Sequence, residues 1–118
     1  MRYQKKDDCY FDEKTGLEWS LESSGPMTWK DAIEFCANLG GIWRLPSIEE
    51  LSTLVDYSKF NPATKLQDIK PSDYWSSTTN ANDTDFAWGV DFYYGYSYGD
   101  YKSHNLYVRA VRGEPEWI

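Results

Sequence analysis

The chain has 118 residues, and its six Trp, ten Tyr and five Phe exclude a disordered protein. This length suits one compact domain over residues 1–118. Twelve Lys and Arg against nineteen Asp and Glu give a net charge of −7 without a basic cluster, so duplex nucleic acid is not an expected partner. No apolar run approaches the roughly 18 residues of a membrane span, so we expect no membrane insertion. Residues 1–8 contain no apolar segment of a secretory signal.

Few residues are available for metal or nucleophilic chemistry. Cys9, Cys36 and His104 are the only cysteines and histidine, too few for a structural zinc site of four such ligands. His104 lies in a Tyr- and Ser-rich stretch, where an exposed loop histidine is a better interpretation than a catalytic base. The sequence also has no glycine-rich phosphate loop. We therefore predict a protein that is not an enzyme and has no cofactor. From the residues alone, the two cysteines form either a disulfide or free thiols.

The first half of the chain predicts a hairpin and then two short helices. Residues 9–21 predict the hairpin, and residues 23–26 a loop. Thr28 is a suitable N-cap for the first helix, and Ser47 with Glu50 forms a capping-box pattern for the second. The predicted inward stripe of the first helix is Trp29, Ala32, Ile33, Cys36 and Leu39. That of the second helix is Ile48, Leu51, Leu54 and Val55.

The second half predicts mainly strands. Residues 58–73 look irregular, whereas residues 74–79, 86–92 and 106–112 have the alternation or composition of strands. A hairpin, two helices and several antiparallel strands together indicate an α+β domain. Arg44, in the link between the helices, is predicted to brace them. The predicted rigid core is Trp19, Trp29, Ile33, Leu51, Leu54, Trp75 and Val108.

The segment 91–101 is the most informative part of the chain for function. Six of its eleven residues are aromatic, the others are Gly, Ser or Asp, and none is aliphatic. A buried strand would carry Val, Ile or Leu, whereas Tyr with Ser and Gly is the composition of antibody-like binding surfaces. We therefore predict a protein- or glycan-binding surface over about residues 80–105. The predicted ligand-binding residues are Asn80, Asn82, Asp83, Asp85, Phe86, Asp91, Tyr93, Tyr94, Tyr96, Tyr98, Asp100, Tyr101 and His104.

The same segment allows three other interpretations. The tyrosines could form a cross-strand aromatic ladder, or they could pack between subunits of a homo-oligomer such as a trimer. Calcium could bind the acidic neighbours Asp83, Asp85, Asp91 and Asp100, although no EF-hand spacing is present and we predict no metal site. A local basic patch around Lys102, Arg109 and Arg112 is a further hypothesis.

Three stretches of the sequence, in order, resemble a known family. The first is Asp12-Glu13-Lys14-Thr15-Gly16-Leu17-Glu18-Trp19. The second runs from Thr28 to Leu51 and contains Trp43-Arg44-Leu45-Pro46-Ser47. The third combines Tyr74-Trp75-Ser76-Ser77-Thr78, Ala87-Trp88 and Tyr107-Val108-Arg109-Ala110-Val111-Arg112. Together they are similar to the Lcl C-terminal domain family, named after a bacterial collagen-like adhesin, over about residues 10–112.

The resemblance implies a C-type-lectin-like fold with the N- and C-terminal strands close together, and ligand binding or adhesion without catalysis. Family members often have a cysteine where this chain has Ala110, so the resemblance implies that Cys36 pairs with Cys9 or stays free. The calcium-dependent sugar-binding signatures of animal lectins are absent. The expected location is extracellular or surface-displayed, on a bacterial cell or a phage virion.

Some domains of this kind are the variable proteins of diversity-generating retroelements. In residues 91–105, every residue except Lys102 can be written with a pyrimidine-ending codon, which agrees with adenine-directed mutagenesis. We therefore hypothesise that this segment is diversified by such a retroelement. Two other classes stay open: an oligomerising tip module of a surface or phage fibre, and an enzyme of the formylglycine-generating type, which would need Cys9 and Cys36 close together.

Overall fold

The computed structural model describes residues 1–117, which form two helices and two β-sheets. The predicted α+β class is confirmed. In chain order the elements are β1 (Tyr3–Lys5), β2 (Cys9–Asp12), β3 (Glu18–Ser20), β4 (Ser24–Met27), α1 (Trp29–Ala37), α2 (Ile48–Ser52), β5 (Asp73–Thr79), β6 (Phe86–Asp91), β7 (Tyr96–Tyr101), β8 (Leu106–Val108) and β9 (Val111–Arg112). None of the helices in this described part is long and apolar enough to cross a membrane.

The smaller sheet, which we call the terminal sheet, contains strands from both ends of the chain. Its order is β1-β2-β3-β9, and all its pairs are antiparallel. The predicted hairpin over residues 9–21 is confirmed as β2 and β3, with Tyr10 opposite Trp19. Arg44 extends this sheet beyond β9, because its N–H and C=O both bond to Val111 at 2.9 Å.

The larger sheet, the hairpin sheet, has the order β4-β8-β5-β6-β7. Its pairs are antiparallel except for β5 and β8, which are parallel. Strands β6 and β7 form a regular hairpin from Phe86 opposite Tyr101 to Asp91 opposite Tyr96. Within the described residues β7 pairs only with β6, so it forms an edge of the sheet.

The two helices lie on opposite faces of the hairpin sheet, because successive residues of β5 contribute to different apolar clusters. Tyr74 belongs to the cluster that contains Leu51 of α2 and Trp19 of the terminal sheet. Trp75 belongs to the cluster that contains Ala32 and Cys36 of α1. Alternation along a strand thus places one core between the two sheets and the other beneath α1.

The helix starts agree with the sequence, but part of the predicted core is wrong. Thr28 caps α1, and Ser47 with Glu50 forms the predicted capping box of α2. Ile33, predicted as core, is 37% exposed, because α1 packs through the narrow seam of Ala32 and Cys36. Leu39 is also exposed, since α1 ends at Ala37 and the chain leaves the helix before it.

Three further predictions about the scaffold need correction. Residues 24–26, predicted within a loop, belong to the bulged strand β4, which pairs with β8. The predicted last strand over 106–112 is two strands in different sheets. Arg44 does not brace the two helices: its guanidinium joins Glu50 of α2, at 2.6 and 2.9 Å, to the carbonyl of Gly113.

Both cysteines are buried and free, so the free-thiol alternative describes this structure.

Candidate binding surface

The predicted site residues lie on the β6–β7 hairpin and the loops at its two ends, but they do not form one continuous face. Because directly opposite residues of an antiparallel pair project to the same side, the hairpin has an acidic face and an aromatic face. The turn between the strands and the loop 80–85 contribute two further groups.

The acidic face lies on the α1 side of the sheet. Its residues on β7 are Tyr96, Tyr98 and Asp100, and Asp91 lies opposite Tyr96. Asp73, which is not among the predicted site residues, lies opposite Asp91 on β5 and extends the same face. The rings of Tyr96 and Tyr98 are 6.0 Å apart, and the Tyr98 hydroxyl donates to Asp100 at 3.2 Å.

The carboxylates of this face perturb each other and the neighbouring phenols. Burial raises the pKa of the Asp73 carboxyl, and the charges of Asp91 and Asp100 raise it further. Burial, together with Asp73 and Asp100, raises the pKa of the Tyr98 phenol far above its ordinary value. The charge of Asp91 raises the pKa of the Tyr96 phenol. The phenols therefore stay protonated at neutral pH and act as hydrogen-bond donors.

His104 lies at the end of the acidic face. Its Nδ1 is 2.7 Å from Asp100 Oδ1, and its ring is 5.3 Å from that of Tyr101. Among residues 1–117, no lysine or arginine forms an ion pair with Asp73, Asp91 or Asp100. Within the described residues, His104 beside Asp100 is therefore the only side chain in the salt-bridge geometry of this face, and Asp73 and Asp91 have no cationic partner.

The opposite, aromatic face carries Phe86 and Tyr101, whose ring centroids are 4.2 Å apart. Tyr101 is half exposed, and Phe86 is partly buried beneath it. This cross-strand pair is the only part of the predicted aromatic ladder formed by directly opposite residues in the described hairpin.

The turn between β6 and β7 forms the third group. Tyr93 packs edge-on against Tyr94, at 4.6 Å, and against Phe60, at 6.3 Å. Tyr94 and Phe60 are both about two-thirds exposed, whereas Phe92 is buried in the core. Phe60 is not among the predicted site residues, because it lies in the segment 58–73 that was predicted to be irregular. The only signal for it in the sequence is an aromatic residue without apolar neighbours on either side.

Loop 80–85 forms the fourth group and is shaped by its own side chains. The side-chain oxygens of Asn80 and Asp83 accept from the backbone N–H groups of Asn82 and Asp85, at 2.9 and 3.1 Å. The Asp85 carbonyl accepts from the N–H of Lys102 and so ties the loop to the end of β7. Within residues 1–117, no group of three or more His, Cys, Asp or Glu side chains is arranged to hold a metal ion.

The hypothesis of a basic patch is wrong. Arg109 is fully buried and donates to the carbonyls of Ser20, Leu21 and Asp68. Arg112 is paired with acidic side chains, and Lys102 lies 4.1 Å from the centre of the Trp29 ring. These cations are used within the fold and do not form a free basic surface.

Comparison with known proteins agrees with the motifs in the sequence. No curated protein matches the chain. The family description "Lcl C-terminal domain" matches residues 8–112, which include the hairpin, both helices and almost all of both sheets. The chain therefore belongs to the Lcl C-terminal domain family.

Proposed function

We propose that this domain is a non-catalytic adhesion module that binds a protein or glycan ligand through the β6–β7 hairpin and its adjoining loops. The main supporting observation is the exposure of aromatic side chains on a regular hairpin. Tyr94, Tyr96 and Tyr101 are 67%, 54% and 50% exposed. Exposed Tyr offers a broad, stiff contact area and a hydroxyl at low conformational cost.

The way the hairpin is held supports the same proposal. At its turn, the N–H groups of Asn61 and Ala63 donate to the carbonyls of Tyr93 and Phe92, at 2.8 and 2.7 Å. Gly95 has a φ of 94°, and a Cβ there would come within 3.0 Å of Val55. Contact residues that are ordered before binding lose less entropy on association.

The proposal places this surface on a C-type-lectin-like scaffold. The sheet that unites β1 with β9 and the two helices on either side of a larger sheet support that fold. Membership of the Lcl C-terminal domain family suggests a surface or secreted protein. We retain the hypothesis that residues 91–105 are diversified by a retroelement. A reverse-transcriptase gene with a nearby near-identical template repeat, carrying adenines at these codons, would support it.

The proposal is tested with a variant that removes exposed rings only. Tyr94→Ser, Tyr96→Ser and Tyr101→Ser are combined, and the variant is screened beside the wild type on a glycan array and a surface-protein panel. Ile42→Ser is the control, because Ile42 is 73% exposed and lies outside the hairpin. We expect a ligand that binds the wild type and the control but not the folded triple variant. Equal binding by the triple variant would contradict the proposal.

An oligomerising fibre-tip module is the second candidate function, because exposed aromatic rings beside an open sheet edge also suit contact between copies. In that case the wild type would be a stable oligomer by light scattering, and Tyr96→Ala would dissociate it. A monomeric wild type would exclude this candidate in favour of ligand binding.

A further inference from the structure

Strand β7 is an unusually open edge. At the other edge of the hairpin sheet, β4 contains a register shift and Pro26, which has no N–H to donate. In the terminal sheet, β1 is only three residues long, and Arg44 bonds to Val111 beside β9. By contrast, β7 has six residues without lysine, proline or a register shift, and Asp100 is its only charged residue, so it has less protection against pairing with another strand than these other edges.

The free backbone groups of β7 can be identified from its register. The N–H of Lys102 donates to the carbonyl of Asp85, so the backbone groups of Lys102 point toward the β6 side. Inward and outward positions alternate along an antiparallel edge, which places Ser97, Gly99 and Tyr101 outward. The backbone N–H of Tyr101 already has an acceptor, since it donates to Asp100 Oδ1 at 2.8 Å. Ser97 and Gly99 are therefore the positions open to an added strand.

The chemistry beside this edge favours a cationic partner. Tyr96 and Tyr98 project from β7 on the acidic face, where Asp73, Asp91 and Asp100 lack a lysine or arginine partner among the described residues. A lysine or arginine side chain on that face would be attracted by the carboxylates and by the faces of the tyrosine rings. An acidic chain would be repelled by them.

We infer that β7 binds an extended, basic segment of a partner protein as an additional strand. The segment's backbone pairs with Ser97 and Gly99, and its basic side chains lie over the acidic face. This inference rests on the proposed function of the hairpin and specifies its ligand as a protein. A glycan has no peptide backbone to form a strand ladder and is therefore not the ligand that this edge favours.

The test uses labelled peptides of alternating lysine and threonine, long enough to span β7, with binding followed by fluorescence anisotropy. Residues of an extended peptide direct their backbone groups alternately to its two edges. N-methylation of the lysines therefore blocks one edge, and N-methylation of the threonines blocks the other. We expect one methylated peptide to bind at least about tenfold more weakly and the other to bind like the parent. Equal effects of the two methylations, or no effect of either, would overturn the inference.

Charge is tested on both partners. Replacing the lysines by glutamates is expected to weaken binding by at least about tenfold. Asp100→Asn is expected to weaken binding of the lysine peptide about threefold or more, whereas Asp7→Asn, an equal charge change at an exposed residue away from the hairpin, leaves it within about twofold. Equal weakening by the two variants would show attraction by net charge alone and would overturn the inference.

The two proposals fail in distinguishable ways. If the triple tyrosine variant loses a glycan ligand while the lysine peptide shows no dependence on methylation, the hairpin is a binding surface but β7 does not add a strand. If the peptide binds with the expected dependence, the inference stands and identifies the ligand class as protein. If neither peptide nor screened ligand depends on the hairpin, both proposals are wrong.

Discussion

The terminal sheet and the free edge of the hairpin sheet use charged residues in opposite ways. Around the terminal sheet, Arg2 makes a bidentate contact with Asp12 at 2.8 and 2.9 Å, and Arg112 joins Glu18 to Asp8. On the acidic face of the hairpin, carboxylates face one another and two phenols without a lysine or arginine partner in the described structure. Neutralised charges hold the ends of the chain together, whereas the carboxylates of the acidic face have no lysine or arginine partner within the described residues.

The pKa directions express the same contrast. The guanidinium of Arg2 and the N–H and O–H donors around Asp12 overcome the effect of burial and lower the pKa of that carboxyl. Arg44 does the same for Glu50. At the hairpin, burial and neighbouring charges raise the pKa of Asp73. Acid, or removal of the charge by substitution, should therefore lower the free energy of unfolding at Asp12 and raise it at Asp73.

The largest effect on stability is expected at Arg109, which is fully buried and lies in the chain between β8 of the hairpin sheet and β9 of the terminal sheet. Arg109→Leu would remove the side-chain donor from the carbonyls of Ser20 and Leu21, whereas the Asp68 carbonyl would keep the Ser23 hydroxyl as a donor at 2.6 Å. We expect the free energy of unfolding to fall by about 4 kcal/mol, because each unsatisfied buried carbonyl costs about 1–3 kcal/mol. Urea denaturation measures this loss, and a loss below about 1 kcal/mol would show that these bonds contribute little.

Asp12→Asn is expected to have the next largest effect. Asp12 is fully buried and accepts from Arg2, Thr15 and the Lys14 N–H, so neutralising it should cost about 2–3 kcal/mol at pH 7. Because the pKa of the folded carboxyl lies below its unfolded value of about 3.9, this stability is present above that value and is lost as pH falls through the folded pKa. The difference between wild type and variant should therefore shrink below about pH 4 in denaturation series. A difference independent of pH would contradict this account.

The triple substitution of Tyr94, Tyr96 and Tyr101 by Ser should have a smaller effect on stability. At least half of each side chain is exposed, and exposed substitutions usually change the free energy of unfolding by about 0.5 kcal/mol or less. Loss of the Phe86–Tyr101 contact adds a few tenths of a kcal/mol. We therefore expect the free energy of unfolding of the triple variant, measured by urea denaturation, to fall by about 1–2 kcal/mol. Unfolding of the variant at 25 °C would instead show that the hairpin tyrosines are architectural.

Much of the fold could be predicted because its signals are local. The caps at Thr28 and Ser47 depend on side chains within three residues, and the strand-like alternation predicted over residues 106–112 is seen in their side chains, which contribute in turn to the two apolar clusters. Ile33 was misassigned because helical spacing gives the direction of a side chain but not the width of the surface that covers it. The division of residues 106–112 between two sheets depends on distant partners, which alternation does not reveal.

The site shows the same limit. Composition alone marked residues 91–101, but it could not show that Asp100 and Tyr101 lie on opposite faces or that Phe92 is buried. Asp73 was missed because only its register with Asp91, eighteen positions away in sequence, brings it to the acidic face. Long-range register therefore determines which of the predicted residues can contact one ligand.

The smallest effect, and the only one with a stabilising sign, is expected for Asp73→Asn. Because the folded pKa of Asp73 is raised, its ionised form opposes folding above that pKa, and this cost disappears as pH falls through it. The variant should gain less than about 1 kcal/mol at pH 7, in a partly exposed site, and nothing near pH 3. Urea denaturation at both pH values, with Asp7→Asn as the matched control, measures the difference. A loss of stability at pH 7 would show that Asp73 is held by favourable contacts, whereas a gain accompanied by weaker peptide binding would show a charge that opposes folding and favours binding.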